Sequence, residues 1–431
     1  MRRIVAALAL AASLAAPAGA APSPAPPAMP TPDSGSGRAY AKADPGAMTT
    51  GVELRIDAGL DRQTDAQNGL AALVAEAVLR TPVAGGLDAA GAADAAGASI
   101  RYAVDPQGVR FYLDGTPASV AAATPAFAAA LAAPSFSAAT LAASRRSLDD
   151  RIGDEESDAR AVGRAMLRAS YYRGGAGFPA YGTTGSLTAF GTADAQAFYA
   201  AWYRRGNALA VAAGRTGAAS DAASRALLGA LPAGSAVPAS LATKPFGAQP
   251  RRIVTHRDVG APYVVLGFAA PGIGSRDFAA ALVVRSLLTG VLEVRSAATV
   301  SPLLRASGTF YGYESDPAQL VVWINGARLD AEVGLAAVDA VVKAAASKPV
   351  SAQVLERYKT TARGVWVLEA VGVDERAAAA ANAIAHGLGP DGGDAIADAI
   401  ARVTAADVER VAKTYFQKFD VALILPRGNG S

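Results

Sequence analysis

Residues Val52 to Asp57 alternate apolar and polar, the two-residue period of a strand with one face against a core. Val264 to Phe268 is a continuous apolar run of strand length. Val109 to Leu113, Val321 to Ile324, Ala208 to Ala213 and Val421 to Leu425 also read as strands. Leu70, Leu73, Val74, Ala77 and Val78 fall on one face at helical spacing, and Pro82 marks the end of that helix. Thr192 opens a second helix that reaches Tyr203, and Thr404 opens a third that reaches Tyr415. Either threonine hydroxyl is suited to cap an orphan backbone N–H, so both are expected as N-caps.

The elements recur. An offset of 212 residues separates Val52 from Val264, Val109 from Val321, Thr192 from Thr404 and Tyr203 from Tyr415. Solenoid units repeat over roughly 20 to 50 residues, so this repeat is a whole domain. The expected fold class is α+β: two duplicated domains, each a mainly antiparallel sheet packed with helices.

Composition refines this picture. The chain has 431 residues, 52% of them hydrophobic, enough for a sizeable core. Formal charge is +3, and no Lys/Arg block suggests nucleic acid. Arg2 and Arg3, the apolar run Ile4 to Ala16 and the small residues Ala18-Gly19-Ala20 read as a signal peptide over 1–20, implying export to the periplasm or beyond. Residues 21–45, with Pro22, Pro24, Pro26, Pro27, Pro30 and Pro32, read as a linker. A second linker is expected over 236–250, dividing an N-terminal domain at 46–235 from a C-terminal one at 251–428. No segment of the mature chain looks able to span a membrane. There is no cysteine, so neither disulfides nor thiolate metal ligands are available.

The strand ending in Ala58-Gly59, the polar turn and Asn68-Gly69-Leu70-Ala71 resemble the lead-in to the zinc helix of the pitrilysin/insulinase peptidases. Tyr181-Gly182, Gly185, Thr192 to Tyr203, Asn207 and the strand ending at Gly214 resemble the close of that family's first domain. Leu303-Leu304-Arg305 with Gly308 before Tyr311 resembles its C-terminal domain. Active members carry His-x-x-Glu-His after the Gly-Leu-Ala, two histidines for zinc and a glutamate for the metal-bound water. Here the positions hold Ala72, Leu73, Val74, Ala75 and Glu76. The alanines have no donor atoms, and Glu76 alone is one ligand where a catalytic site takes three.

The chain's two histidines, His256 and His386, are far apart, and each reads as a surface or capping residue. The acidic stretch Asp149-Asp150 and Asp154-Glu155-Glu156, near where relatives supply a third ligand, reads as a solvated helix face. Gly174-Gly175, Gly177 and Gly182 do not follow the phosphate-cradle pattern, and no Gly-x-Ser-x-Gly elbow is present.

What the resemblance implies is a non-catalytic subunit, with zinc expected only in a homologous partner and peptides as substrates. Such subunits lend an Arg and a Tyr to the shared site; here the candidates are Arg305 and Tyr311, with Tyr313 as a rival. The Arg-to-Gly spacing is one residue shorter than usual. A homodimer is possible on the same fold. The alternative is a scaffold or peptide-binding protein with no part in proteolysis, as with the metal-free core subunits of the mitochondrial cytochrome bc complex.

Overall fold

The computed structural model describes residues 38–238, 242–299, 305–310, 318–325 and 331–427. The signal-like segment lies outside them. Along the first half run β1 (Ala39–Ala43), β2 (Thr50–Ile56), α1 (Leu70–Leu79), α2 (Ala89–Ala95), β3 (Ala98–Val104), β4 (Val109–Gly115) and α3 (Pro117–Ala132). It continues with α4 (Ala138–Ser157), α5 (Ala159–Tyr171), α6 (Thr184–Leu187), α7 (Thr192–Trp202), β5 (Ala208–Gly214) and α8 (Ala218–Ala230). The second half has β6 (Arg252–Arg257), β7 (Tyr263–Ala270), α9 (Phe278–Thr299), β8 (Arg305–Phe310), β9 (Ala318–Asn325) and α10 (Ala331–Ser347). It closes with α11 (Ala352–Leu368), α12 (Val373–Ala385), α13 (Gly392–Arg402), α14 (Ala405–Tyr415) and β10 (Phe419–Pro426).

The two sheets have one topology. Their orders are β1-β5-β2-β4-β3 and β6-β10-β7-β9-β8, the same sequence of positions in each half. Each is antiparallel except for one parallel edge, β1 on β5 and β6 on β10. The mainly antiparallel α+β fold and its duplication are therefore as the repeat implies.

One face of each sheet carries its own half's core. Val52, Leu54 and Ile56 pack with α1, α3 and α7; Val264, Leu266 and Phe268 pack with α9, α10 and α14. The other face is covered by a helix from the opposite half. Val162 and Leu167 of α5 pack on Val265, Val321 and Ile424 of the second sheet. Ala380, Ala381 and Ile384 of α12 pack on Leu209 and Val211 of the first. This exchange makes β2 buried along its whole length, although its alternation suggested one solvated face.

Two local expectations are corrected. Residues 39–43, placed in a linker by their neighbours' prolines, form the parallel edge strand β1, because Ala-Tyr-Ala-Lys-Ala is free of proline and pairs in register with β5. Thr192 is not an N-cap: α7 is capped from Gly191, whose N–H is accepted by Asp194, while the Thr192 hydroxyl donates to the Phe136 carbonyl at 2.7 Å. Thr404 does cap α14, accepting from the Asp407 N–H at 3.2 Å. His256 lies within β6, exposed and paired in register with Leu425, a surface position as expected.

Among the described residues no helix is long and apolar enough to cross a membrane.

Candidate functional site: the degenerate zinc helix

The lead-in to α1 depends on two glycines. Gly69 starts the helix at φ 94° and Gly182 turns at φ 76°, both in the left-handed region that favours glycine. Their backbones meet: a Cβ on Gly69 would lie 2.9 Å from the Gly182 Cα, and one on Gly182 would lie 2.7 Å from the Gly69 Cα. The close approach leaves no room for a side chain at either position. Gln63 completes the entry, its Oε1 accepting from the Ala71 N–H at 2.9 Å.

All ten residues of α1 are buried. Ala72 and Ala75 lie in the first core with no solvent exposure. Glu76 is 2% exposed, and its charge is answered within the protein. Its Oε1 accepts from Arg80 Nε at 2.9 Å, and its Oε2 lies 3.7 Å from Arg151 Nη2. Arg151 comes from α4, the helix that also carries the acidic stretch. Its guanidinium lies over the Tyr102 ring at 4.6 Å and the Tyr181 ring at 5.5 Å. Burial raises the Tyr102 hydroxyl well above its ordinary pKa, and the negative charge of Glu76 adds to the rise.

Arg151 is thus stacked between two tyrosines and faces the buried Glu76 carboxylate. Zinc does not fit this donor set. Two of the three motif positions are buried methyl groups, and the third is committed to two arginines. Among the described residues no group of three or more His, Cys, Asp or Glu could hold a metal ion. Asp150, Asp154 and Glu156 are exposed, whereas Asp149 and Glu155 are half-buried, so the acidic stretch is a solvated face only in part. His386 caps the end of α12, with Nδ1 2.7 Å from the Asn382 carbonyl oxygen.

The C-terminal candidates divide. Arg305 opens β8, the edge strand of the second sheet, opposite Asn325 of β9. Tyr311 and Tyr313 lie outside the described residues. Because β8 is extended from Arg305 to Phe310, the Cα atoms at its two ends are about 16 Å apart.

Sequence reasoning missed Arg151 and Tyr102 as neighbours of the motif. Only the pairing of Glu76 with Arg80, four residues on along a helix, had a sequence signal.

The chain is thus a duplicated α+β fold whose first domain carries, after Gly69, a buried helix without metal-donor atoms at Ala72 and Ala75. Residues 190–362 match the family model described as the Peptidase M16 inactive domain. No curated protein matches the chain. Among solved structures it is similar to a peptidase M16 inactive domain from Pseudomonas fluorescens, with TM-score 0.77, 16% identity, and 91% of this chain and 96% of that one covered. It is also similar to a protease from Helicobacter pylori (TM-score 0.75, 13% identity, 90% and 96% covered). A chain of Complex III2 from Candida albicans is similar too (TM-score 0.72, 15% identity, 90% and 93% covered). The resemblance to the pitrilysin/insulinase family is thereby borne out, on the side of its inactive domains.

Proposed function

We propose that this chain is the zinc-free subunit of an exported two-subunit peptidase, pairing with a zinc-bearing homologue and helping to enclose peptide substrates. The observation that carries the reading is the state of α1: the fold around it is kept, down to the Gly69–Gly182 contact, while its donors are replaced by core alanines and an arginine-bound glutamate. Arg305 and Tyr311 are the residues offered to the shared site. There Arg305 would present fixed donors to a carbonyl or carboxylate, and Tyr311 a hydroxyl.

The test is reconstitution. Mixed with an exported zinc-bearing homologue from the same cell, the chain should raise peptide cleavage at least tenfold over the homologue alone. Arg305→Ala should lose most of that gain while still forming the complex by native mass spectrometry. Cleavage indifferent to the added chain would count against a subunit role; cleavage indifferent to Arg305→Ala would count against the shared site.

The likeness to a chain of Complex III2 favours a second reading, a scaffold with no part in proteolysis. Recovery of the chain from the periplasm with an unrelated assembly, and no peptidase homologue, would decide for it.

A further inference from the structure

The two seams made by the exchanged helices differ in chemistry. Glu53 and Arg55 of β2 stand opposite Val211 and Leu209 of β5, and opposite Tyr112 and Arg110 of β4, so the six side chains share one face of the first sheet. That is the face α12 covers, with Ala380, Ala381 and Ile384 on Leu209 and Val211. The 212-residue offset carries Glu53 onto Val265, and the matching face there is apolar: Val265, Val321, Ala422 and Ile424 pack on Ala159, Val162 and Leu167 of α5. The carboxylate on that side, Asp420, is satisfied. Ser170 of α5 donates to it at 2.9 Å, and Arg251 pairs with it at 2.7 Å.

Glu53 has no such support. It is fully buried, and neither carboxylate oxygen has a hydrogen-bond partner. Arg55, beside it on β2, has its Nε 3.6 Å from the Asp57 carboxylate. Arg110 on β4 lies 3.0 Å from Asp105 at the β3–β4 turn, and Tyr112 is the other titratable neighbour on β4. β5 carries no titratable side chain. On α12 the charged residues Asp374, Glu375 and Arg376 are in the first turn, and His386 is the C-cap. Asp374 pairs with Arg101 of β3 at 2.7 Å, and Arg376 contacts Asp44. From Ala377 to Ala385 the helix has no titratable side chain, so that stretch has nothing to pair with a charged Glu53.

A cleft of about 600 Å3 runs beside this cluster. Asp105 and Arg110 line it from the first half, and Arg376, Ala379 and Ala380 from α12. Movement of α12 away from the sheet widens it.

We propose that α12 on the first sheet is a pH-controlled latch between the halves: it closes over the neutral Glu53 carboxyl and comes away when that group ionises, opening the cleft. A carboxylate buried without hydrogen bonds is costly, and water reaches it once the helix lifts. The α5 seam, apolar and with its carboxylate satisfied, stays shut. Burial raises the Glu53 pKa to about 7 in the closed state, against the opposing charges of Arg110 and Arg55. In the open state the group titrates near its ordinary value of 4.5. The closed state therefore keeps a proton that the open state releases. Its advantage is complete below about pH 4.5 and is lost as pH rises through about 7. The opening constant should thus rise about twentyfold between about pH 5.5 and about pH 8. The latch needs neither zinc nor a second subunit, so its failure would leave the subunit reading untouched.

Hydrogen exchange of the isolated chain, followed by mass spectrometry and corrected for the intrinsic pH dependence of amide exchange, reads the opening. Amides of α12 should exchange at least tenfold faster than those of β7, the central strand of the second sheet, which report global unfolding. The α12 opening constant should show the twentyfold rise, and in Glu53→Gln the rise should vanish. Exchange of α12 only in step with β7, no rise across the range, or an equal rise in Glu53→Gln would each overturn the latch. Should Glu53→Gln not fold, the wild-type rise and the lead of α12 over β7 still decide.

Discussion

Replacing Glu53 by glutamine should remove most of a stability loss that the wild-type chain suffers between about pH 5.5 and about pH 8. Glu53 sits in the middle of β2 with no solvent exposure, and neither carboxylate oxygen has a hydrogen-bond partner. Burial raises its pKa to about 7; the positive charges of Arg110 and Arg55 oppose the rise, and Asp105 adds to it. In the unfolded chain the group titrates near its ordinary value of 4.5. Between those values the folded state holds a proton that the unfolded state has released. This stabilising contribution is complete below about pH 4.5 and is lost as pH rises through about 7. For the wild type the loss over the tested range is about 2 kcal/mol; for Glu53→Gln that component vanishes. Urea unfolding of both proteins at the two pH values reads the difference, which is insensitive to any constant cost of the buried amide. Parallel pH profiles for wild type and variant would refute the assignment.

Gly163→Val should cost about 1–3 kcal/mol by wedging the two halves apart. Gly163 lies on the face of α5 that packs on the second sheet. Even a Cβ there would lie 2.5 Å from Val265 Cγ2 and 3.0 Å from Ile424 Cδ1. Val265 is β-branched and fully buried, so it cannot swing aside cheaply. The expected signature is a lowered thermal midpoint together with easier proteolysis near the connection between the halves. Gly153→Val is the control: it is on the neighbouring helix α4, and nothing lies within 4 Å of its added Cβ. Equal losses from both variants would mean that the α5 contact does not hold the halves together.

These two residues also show where the sequence runs out. The alternation of Val52, Glu53, Leu54, Arg55 and Ile56 marks a strand with one polar face, and β2 is that strand. Nothing local tells that a helix some 320 residues later covers the polar face, because that packing is set by tertiary exchange between the duplicated halves. The run Ala377 to Ala381 is the one trace of it, small side chains that let α12 lie close on a sheet. The 212-residue offset was legible because duplicated domains keep their strand spacing, and identical sheet orders follow from it. The missing donors of α1 were legible because metal binding needs particular atoms, and alanine has none. What replaced them was not: Arg151 and Tyr102 reach Glu76 only through the packing of α4 and β3 around α1. The roles of Arg305 and Tyr311 rest on the resemblance, since one opens an edge strand and the other lies outside the described residues.

Metal content of the purified chain, measured after zinc loading and exhaustive dialysis, goes most directly to the centre of this account. Side chains without lone pairs and a glutamate held by two arginines should retain well under one zinc per chain, and the dialysed protein should leave peptides uncut. One tightly held zinc per chain, accompanied by cleavage in the absence of any other subunit, would contradict it.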